Sequence, residues 1–391
     1  MQLRATEPER ALQQEVRTFL ARERVTSDEL PHALDARIEV LREWQASCYE
    51  AGYVGRAWPQ EFGGGGRPPV EQIVVDQELA AAGAPEFVNV VGLDVLGPSL
   101  LRFGSDEQRR RYISPILRAD EIWCQGFSEP EAGSDLASLR TRAVERDDHF
   151  VLSGQKTWVS WGQFARWCGV LVRTGEEGPR HRGISMLIVD MRSPGVDVRP
   201  MTQITGHAEF CELFFDDVVV PVENLLSERG HGWKIAMHTL GHERGTAALP
   251  RQVKLRTWLD RALRVAVQRE LDGRPLLADD HAQAALARAF IAIEVLRHHA
   301  YRTVGEFLSG GAVGPDSSTV KLLMAEAEQQ LAATVLELLG PTLQHADPAE
   351  HAEDEFWYET YLYSRAASVY GGTQQIQRSI IADRILALPQ E

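Results

Sequence analysis

Residues 122–135, IWCQGFSEPEAGSD, mark the point where the chain changes character. Downstream of them short β-prone runs follow one another: HFVLSG (149–154), KTWVSW (156–161), WCGVLVRT (167–174), GISMLIVDM (183–191), VDVRPM (196–201) and CELFFDDVVVPVEN (211–224). Gly, Pro and Asp separate the runs, a pattern that reads as a small antiparallel barrel or sandwich over residues 122–229.

The flanks are helical. Leu34, Ile38, Leu41, Cys48 and Ala51 recur at helical period, with Gly52 where a C-terminal cap would sit. In VEQIVVDQELAAAG (70–83) the stripe is Val70, Ile73, Val74, Gln77 and Ala80, with prolines before it and Gly83 closing it. Residues 1–121 therefore read as a helical domain. Beyond the β region, GWKIAMHTLGHERGTAALPRQVKLRTWLDRALRVAVQRE (232–270), AALARAFIAIEVLRHHAYRTVGEFL (284–308) and STVKLLMAEAEQQLAATVLELLG (318–340) suit a four-helix bundle over 230–391. The expected class is α+β, in the order helical, β, helical.

With 391 residues the chain exceeds what one core usually supports, so more than one packed unit is expected. A net charge of −15 and the lack of a long basic run argue against a broad nucleic-acid footprint. The first thirty residues mix Arg and Glu and lack the apolar centre of a secretory signal, and no apolar run reaches a membrane span. A cytoplasmic protein is the expectation. Cys48, Cys124, Cys168 and Cys211 are too scattered for a disulfide framework or a metal site and read as buried thiols. Gly63–Gly66 lacks the Lys-Ser/Thr of a phosphate loop and reads as a surface turn.

Three stretches could carry chemistry. In KTWVSW, strand alternation puts Lys156, Trp158 and Ser160 on one face, where the indole could stack on a flat heteroaromatic ring and the hydroxyl bond its rim. A strand whose Trp simply packs at a domain boundary is the plainer reading. GFSEPEAGSD is turn chemistry, with Gly133 free in its dihedrals and Ser134 placed to cap a short turn beside exposed N–H groups. In the helix after the β region, Trp233, Ala236, Met237, Leu240, Ala247 and Ala248 trace an apolar stripe that includes Glu243 and Arg244, and Gly241, Gly245 and Pro250 predict an irregularity nearby. A carboxylate on a buried face is either a desolvated base or half of an internal ion pair, and both readings stand at this point.

Taken together, FSEPEAGSD, GQKTWVSWG, FFDDVVVPVENLL and YGGTQQIQR, in that order and spacing, resemble the acyl-CoA dehydrogenase family over nearly the whole chain. The resemblance implies FAD, with Phe127, Ser128, Gly133 and Ser134 at the flavin's pyrimidine edge and the thioester entrance, Trp158 over the ring and Ser160 bonding flavin N5. It also implies Arg269, Gly340, Thr373 and Gln375 as contacts to the rest of the cofactor, and Ser134, Arg244, Tyr370 and Gly371 around the substrate. The implied reaction removes an α-proton and a β-hydride from an acyl thioester. Many members carry the base directly after the tyrosine of the C-terminal motif, where this chain has Gly371. A smaller group carries it on the first helix after the β region, immediately before an arginine, and GHERG (241–245) matches that pattern with Glu243.

Two stretches depart from the family. RELDG (269–273) has Asp272 where an aromatic residue stacks in many members, and ELLGP (337–341) has Glu337 and Pro341 in place of a Gln and a second Gly. The expected partners are an acyl thioester on CoA or a carrier protein, an electron-transfer flavoprotein as acceptor, and other subunits in a homotetramer or heterotetramer. Gly371 frees volume that suits a branched or bulky acyl group. The same fold also serves flavin oxidases and monooxygenases, and the departures equally suit a flavin-poor subunit of a heteromeric dehydrogenase.

Overall fold

The computed structural model describes residues 5–175, 180–246, 248–271, 273–308, 314–340 and 352–389. The first helices are α1 (Glu7–Glu23), α2 (Leu34–Glu50), α3 (Pro69–Ala81), α4 (Gly97–Phe103) and α5 (Asp106–Arg118), with a π-helical turn at Val91–Leu96. Seven strands follow: β1 (Trp123–Gly126), β2 (Arg142–Arg146), β3 (His149–Ser160), β4 (Trp167–Arg173), β5 (Ile184–Asp190), β6 (Val196–Met201) and β7 (Phe210–Pro221). The remaining helices are α6 (Gly232–Thr246), α7 (Ala248–Gln268), α8 (Asp280–Leu308), α9 (Asp316–Leu339), α10 (Ala352–Ser364) and α11 (Gln374–Arg384). No helix of the described residues is long and apolar enough to cross a membrane.

By contacts the chain forms two compact units: one of α1, most of α3 and the helices from α7 onward, the other of α2, α4, α5, the sheet and most of α6. In the first, α7 to α10 pack as a four-helix bundle around Leu255, Ile293, Leu296, Leu331 and Trp357, and α11 lies on α9. In α3 the buried face is Val74, Val75, Glu78 and Leu79, rotated from the stripe that the sequence suggests. Glu78 goes inside because Arg17 of α1 meets both its carboxylate oxygens, at 2.6 and 3.0 Å, which offsets the cost of burying a charge.

In the second unit the sheet runs β1-β4-β2-β3-β7-β6, with β5 added on β4. It is antiparallel except where β1 and one residue of β2 lie parallel to β4. Ala143, Phe150, Leu152, Val159, Val170, Leu213 and Val218 fill its core, with three of the four cysteines; all four are buried and outside any disulfide.

The change at residue 122 has a physical cause. α5 stops at Ala119, which sits left-handed at φ 59°, and two fully buried amides then fasten the emerging strand. Gln45 donates to the Ile116 and Leu117 carbonyls, while Asn89 donates to Ile116 and Glu121 and accepts from the Trp123 N–H at 2.9 Å.

Gly63–Gly66 is more than a surface turn. The run doubles back on residues 55–58, with Gly65 N–H to the Gly55 carbonyl (3.0 Å) and Gly66 N–H to that of Trp58 (2.8 Å), and a Cβ on Gly64 would run into the Trp58 backbone. The irregularity expected near Pro250 falls beside residue 247, which lies outside the described residues; helix is described over Gly232–Thr246 before it and Ala248–Gln268 after it.

Candidate active site

β3 does not keep the alternation that its sequence suggests. Lys156 pairs with Leu213 of β7 and Val159 with Cys211, so β3 carries one extra residue there, and Trp158 sits at φ 58°. A bulge of this kind reverses which residues face outward. Lys156 is therefore fully buried while Trp158 is 64 % exposed, with Ser160 half-buried beyond it. The expected shared face holds for Trp158 and Ser160 and fails for Lys156. Phe210 of β7 meets the Trp158 ring edge-on at 6.0 Å and steadies the exposed indole.

The loop after β1 explains the bulge. The Thr157 N–H donates to the Ser128 carbonyl at 3.0 Å, and the Lys156 ammonium donates to the Phe127 carbonyl at 3.1 Å and to the Glu129 carboxylate at 2.8 Å. Glu129 also accepts the backbone N–H groups of Arg140 (2.6 Å) and Thr141 (2.8 Å). Phe127, Ser128 and Glu129 are thus each held by β3. Burial pulls the Lys156 ammonium down to about 8 against the opposing pull of Glu129. Burial pushes the Glu129 carboxyl up, but the Lys156 charge and hydrogen bond, with the Thr141 and Arg140 N–H groups, outweigh it and hold it below the usual range. Sequence reasoning missed this pair. The available signal was a lysine inside an apolar strand, which cannot be buried without a carboxylate to meet it.

Glu129 and Ala132 exchange backbone hydrogen bonds at 3.1 Å across a turn formed by Pro130 and Glu131, which leaves Gly133 and Ser134 exposed. Ser134 does not cap the turn that follows. Asp135 precedes that turn, and Ser138 Oγ bonds the Asp135 carbonyl at 2.7 Å. Among the described residues neither the N–H nor the hydroxyl of Ser128, which is half-buried, makes a hydrogen bond. Orphaned donors beside an exposed indole fit a flat ring with polar edges, so this face suits the flavin that the family resemblance implies.

α6 buries Ile235, Ala236 and Thr239, whose hydroxyl meets Ser99 at 2.7 Å, whereas Met237 of the expected stripe is exposed. Glu243 follows Thr239 by one helical turn; the side chains of Glu243 and Arg244 lie outside the described residues, as do Asp272 and Pro341.

The other unit holds the C-terminal motif. Tyr370 accepts from Arg251 at 3.2 Å, and the buried Lys321 ammonium lies 4.0 Å from its ring. Arg251 in turn meets both carboxylate oxygens of the buried Glu328. Gly371 and Gly372 adopt φ 62° and 97°, and Gln377 Nε2 bonds both their carbonyls. Thr373 caps α11 by accepting the Ile376 N–H, with Gln375 exposed in the first turn. Arg269 pairs with Asp354; Gly340 ends α9 at φ 58°, and Glu337 lies on the surface 3.5 Å from His281.

A Cβ at Gly372 would meet Gln377 Nε2. Gly372→Ala is therefore expected to cost about 1–2 kcal/mol, from the left-handed backbone and the displaced amide. The drop in unfolding midpoint measures it, and an unchanged midpoint would show that the turn relaxes freely.

Three family models cover the chain in order: the acyl-CoA dehydrogenase N-terminal domain at 6–120, middle domain at 124–218 and C-terminal domain at 230–386. The chain is 38 % identical over 357 residues to "Acyl-CoA dehydrogenase IpdE1" of Mycobacterium tuberculosis, covering 90 % of this chain and 89 % of that one. The ChsE4-ChsE5 complex of Mycobacterium tuberculosis superposes with a TM-score of 0.86 at 30 % identity, covering both chains completely. A solved steroid acyl-CoA dehydrogenase, Tcur3481-Tcur3483, superposes with 0.86 at 27 % identity and the same coverage. The order of helices, curled sheet and helices, the bulged Trp158 face and these likenesses agree: the chain is an oxidoreductase of the acyl-CoA dehydrogenase family.

Proposed function

We propose that this enzyme carries out FAD-dependent α,β-dehydrogenation of an acyl thioester. The observation that supports this reading most is the exposed Trp158–Ser160 face beside the orphaned Ser128 donors. When bound there, FAD would supply the acceptor for the β-hydride. Trp158 would cover its ring, Ser160 would bond its rim, and Ser128 would meet its pyrimidine edge. Thr373 and Gln375, at the start of α11, would bind the phosphate or ribose portion.

The chain's own contribution to the chemistry is a base. Gly371 removes the carboxylate that many relatives carry after the tyrosine, and GHERG offers Glu243 in its place. Glu243 would take the α-proton, Arg244 would help organise the site, and Ser134 would stand at the thioester entrance. The product is a trans-2-enoyl thioester, and an electron-transfer flavoprotein would take the electrons onward. Because Gly371 carries no side chain and one structural neighbour acts on steroids, a bulky acyl group is the favoured substrate. CoA and a carrier protein would present the same thioester.

Anaerobic mixing with a panel of acyl-CoA thioesters tests the reading. Flavin absorbance is expected to bleach and to return slowly in air, whereas rapid reoxidation would favour oxidase chemistry. Trp158→Ala is expected to leave stability unchanged within about 0.5 kcal/mol, because the side chain is largely exposed, while weakening FAD binding about tenfold. Unaltered FAD affinity would remove Trp158 from the site.

A second reading rests on the departures at Asp272, Glu337 and Pro341, and on Arg269 being engaged by Asp354. In it the chain belongs to a heteromer whose partner completes the cofactor site, as the two-component ChsE4-ChsE5 neighbour makes reasonable. One FAD per chain in a purified homomer would exclude it.

A further inference from the structure

We propose that Lys156 is an electrostatic positioning residue that acts through the Phe127–Ser128 peptide, polarising its N–H toward the ligand bound on the Trp158 face. The inference rests on the flavin reading above and adds a residue to it.

The geometry is direct. One peptide unit joins the Phe127 carbonyl to the Ser128 N–H, and the two ends meet different surroundings. At the carbonyl end stands a fully buried ammonium, 3.1 Å away. The N–H end has no acceptor among the described residues. A cation on a carbonyl draws electron density along the amide and makes the attached N–H a stronger donor, and the effect grows where water is excluded. The same cation fixes the direction of that donor: Lys156 holds Phe127 and Glu129, Thr157 holds Ser128, and the bulge that Thr157 opens turns Trp158 outward. The ring platform and the donor at its edge are therefore set by two adjacent residues of β3, Lys156 through its ammonium and Thr157 through its backbone N–H.

A buried ammonium carries three N–H donors that need partners; the bond to Phe127 meets part of that need and, unlike the bond to Glu129, also loads a peptide whose N–H end has no acceptor among the described residues. Packing beside the lysine is close, since a Cβ on Gly126 would lie 3.3 Å from Lys156 Cγ and 3.2 Å from Cys168 Sγ.

The test uses FAD-loaded protein, isolated with its partner subunit if one co-purifies, equilibrated with a redox dye at fixed potential. The groups facing the ammonium are Glu129 from the loop after β1 and Cys168 from β4, and its own protonation midpoint is about 8. At pH 7, Lys156→Met at full FAD occupancy is expected to show a reduced-to-oxidised flavin ratio about tenfold below wild type. The gap is expected to close above pH 9, where the wild-type lysine is itself neutral. A gap below twofold at pH 7, or one that persists unchanged to pH 9.5, overturns the proposal and leaves Lys156 a structural residue. If Lys156→Met does not fold, Glu129→Gln decides: losing the countercharge moves the pH at which the ratio falls by one unit or more to the acid side, and an unmoved midpoint overturns the proposal. Failure of the flavin reading shows separately, as protein that binds no FAD or as Trp158→Ala with unaltered FAD affinity.

Discussion

Glu243→Gln is expected to lower turnover by about 10²- to 10⁴-fold while FAD stays bound, because a positioned base contributes that much to proton removal and the α-proton of a thioester does not leave unaided. Glutamine keeps the size and hydrogen bonding of the side chain and removes its basicity. The expected pattern is a fall in kcat with little change in KM, because the lost interaction belongs to the transition state. Single-turnover bleaching of the flavin by substrate measures the step directly. A loss below about tenfold with FAD retained would move the base elsewhere in the chain or to a partner subunit, since Gly371 offers no carboxylate at the usual place.

Glu129→Ala is expected to cost about 3–5 kcal/mol, because it leaves the buried Lys156 ammonium without its countercharge. Denaturant unfolding reads the loss. A cost below 1 kcal/mol would mean that water or a neighbouring group reaches the ammonium. The companion variant Glu129→Gln/Lys156→Met removes both charges at similar volume and is expected to recover most of the stability.

The pH dependence of the pair has a definite sign. Between about 8 and the ordinary lysine value of 10.5, the unfolded chain holds a proton that native Lys156 does not, so this group makes stability rise with pH over that window. The contribution amounts to roughly 3 kcal/mol across the window. Wild type is therefore expected to gain on Lys156→Met from pH 8 to 10.5, while the flavin effect of the same lysine fades over the same range. Glu129, held below its ordinary value, acts with the same sign in a lower window: its contribution is present above the usual carboxylate range and is lost as the solution turns acid. Opposite pH trends for stability and for flavin behaviour separate the two roles of Lys156.

Particular stretches show why some features are legible in a sequence and others are not. The helical stripe of Ile38, Leu41 and Cys48 is buried as its spacing predicts, because it depends only on local period. The stripe of α3 is rotated, because Arg17, more than fifty residues away, makes it favourable to bury Glu78. On α6 the expected Met237 is exposed while Thr239 is buried, because Ser99 provides the hydroxyl with a partner. Apolar periodicity cannot anticipate a polar side chain that is buried by a distant partner.

The sequence alone determined the order of helical, β and helical segments, the motifs that place the chain in its family, and the absence of a carboxylate after Tyr370. These follow from local period, turn chemistry and residue identity. Only the tertiary structure decided that Lys156 faces the core while Trp158 faces outward, and that one ammonium holds Phe127 and Glu129 together. The reason is the single extra residue in β3. Strand alternation has a period of two, so one inserted residue exchanges inside and outside for everything beyond it. Whether that insertion forms depends on Ser128 reaching across to Thr157, a contact between residues far apart in the chain.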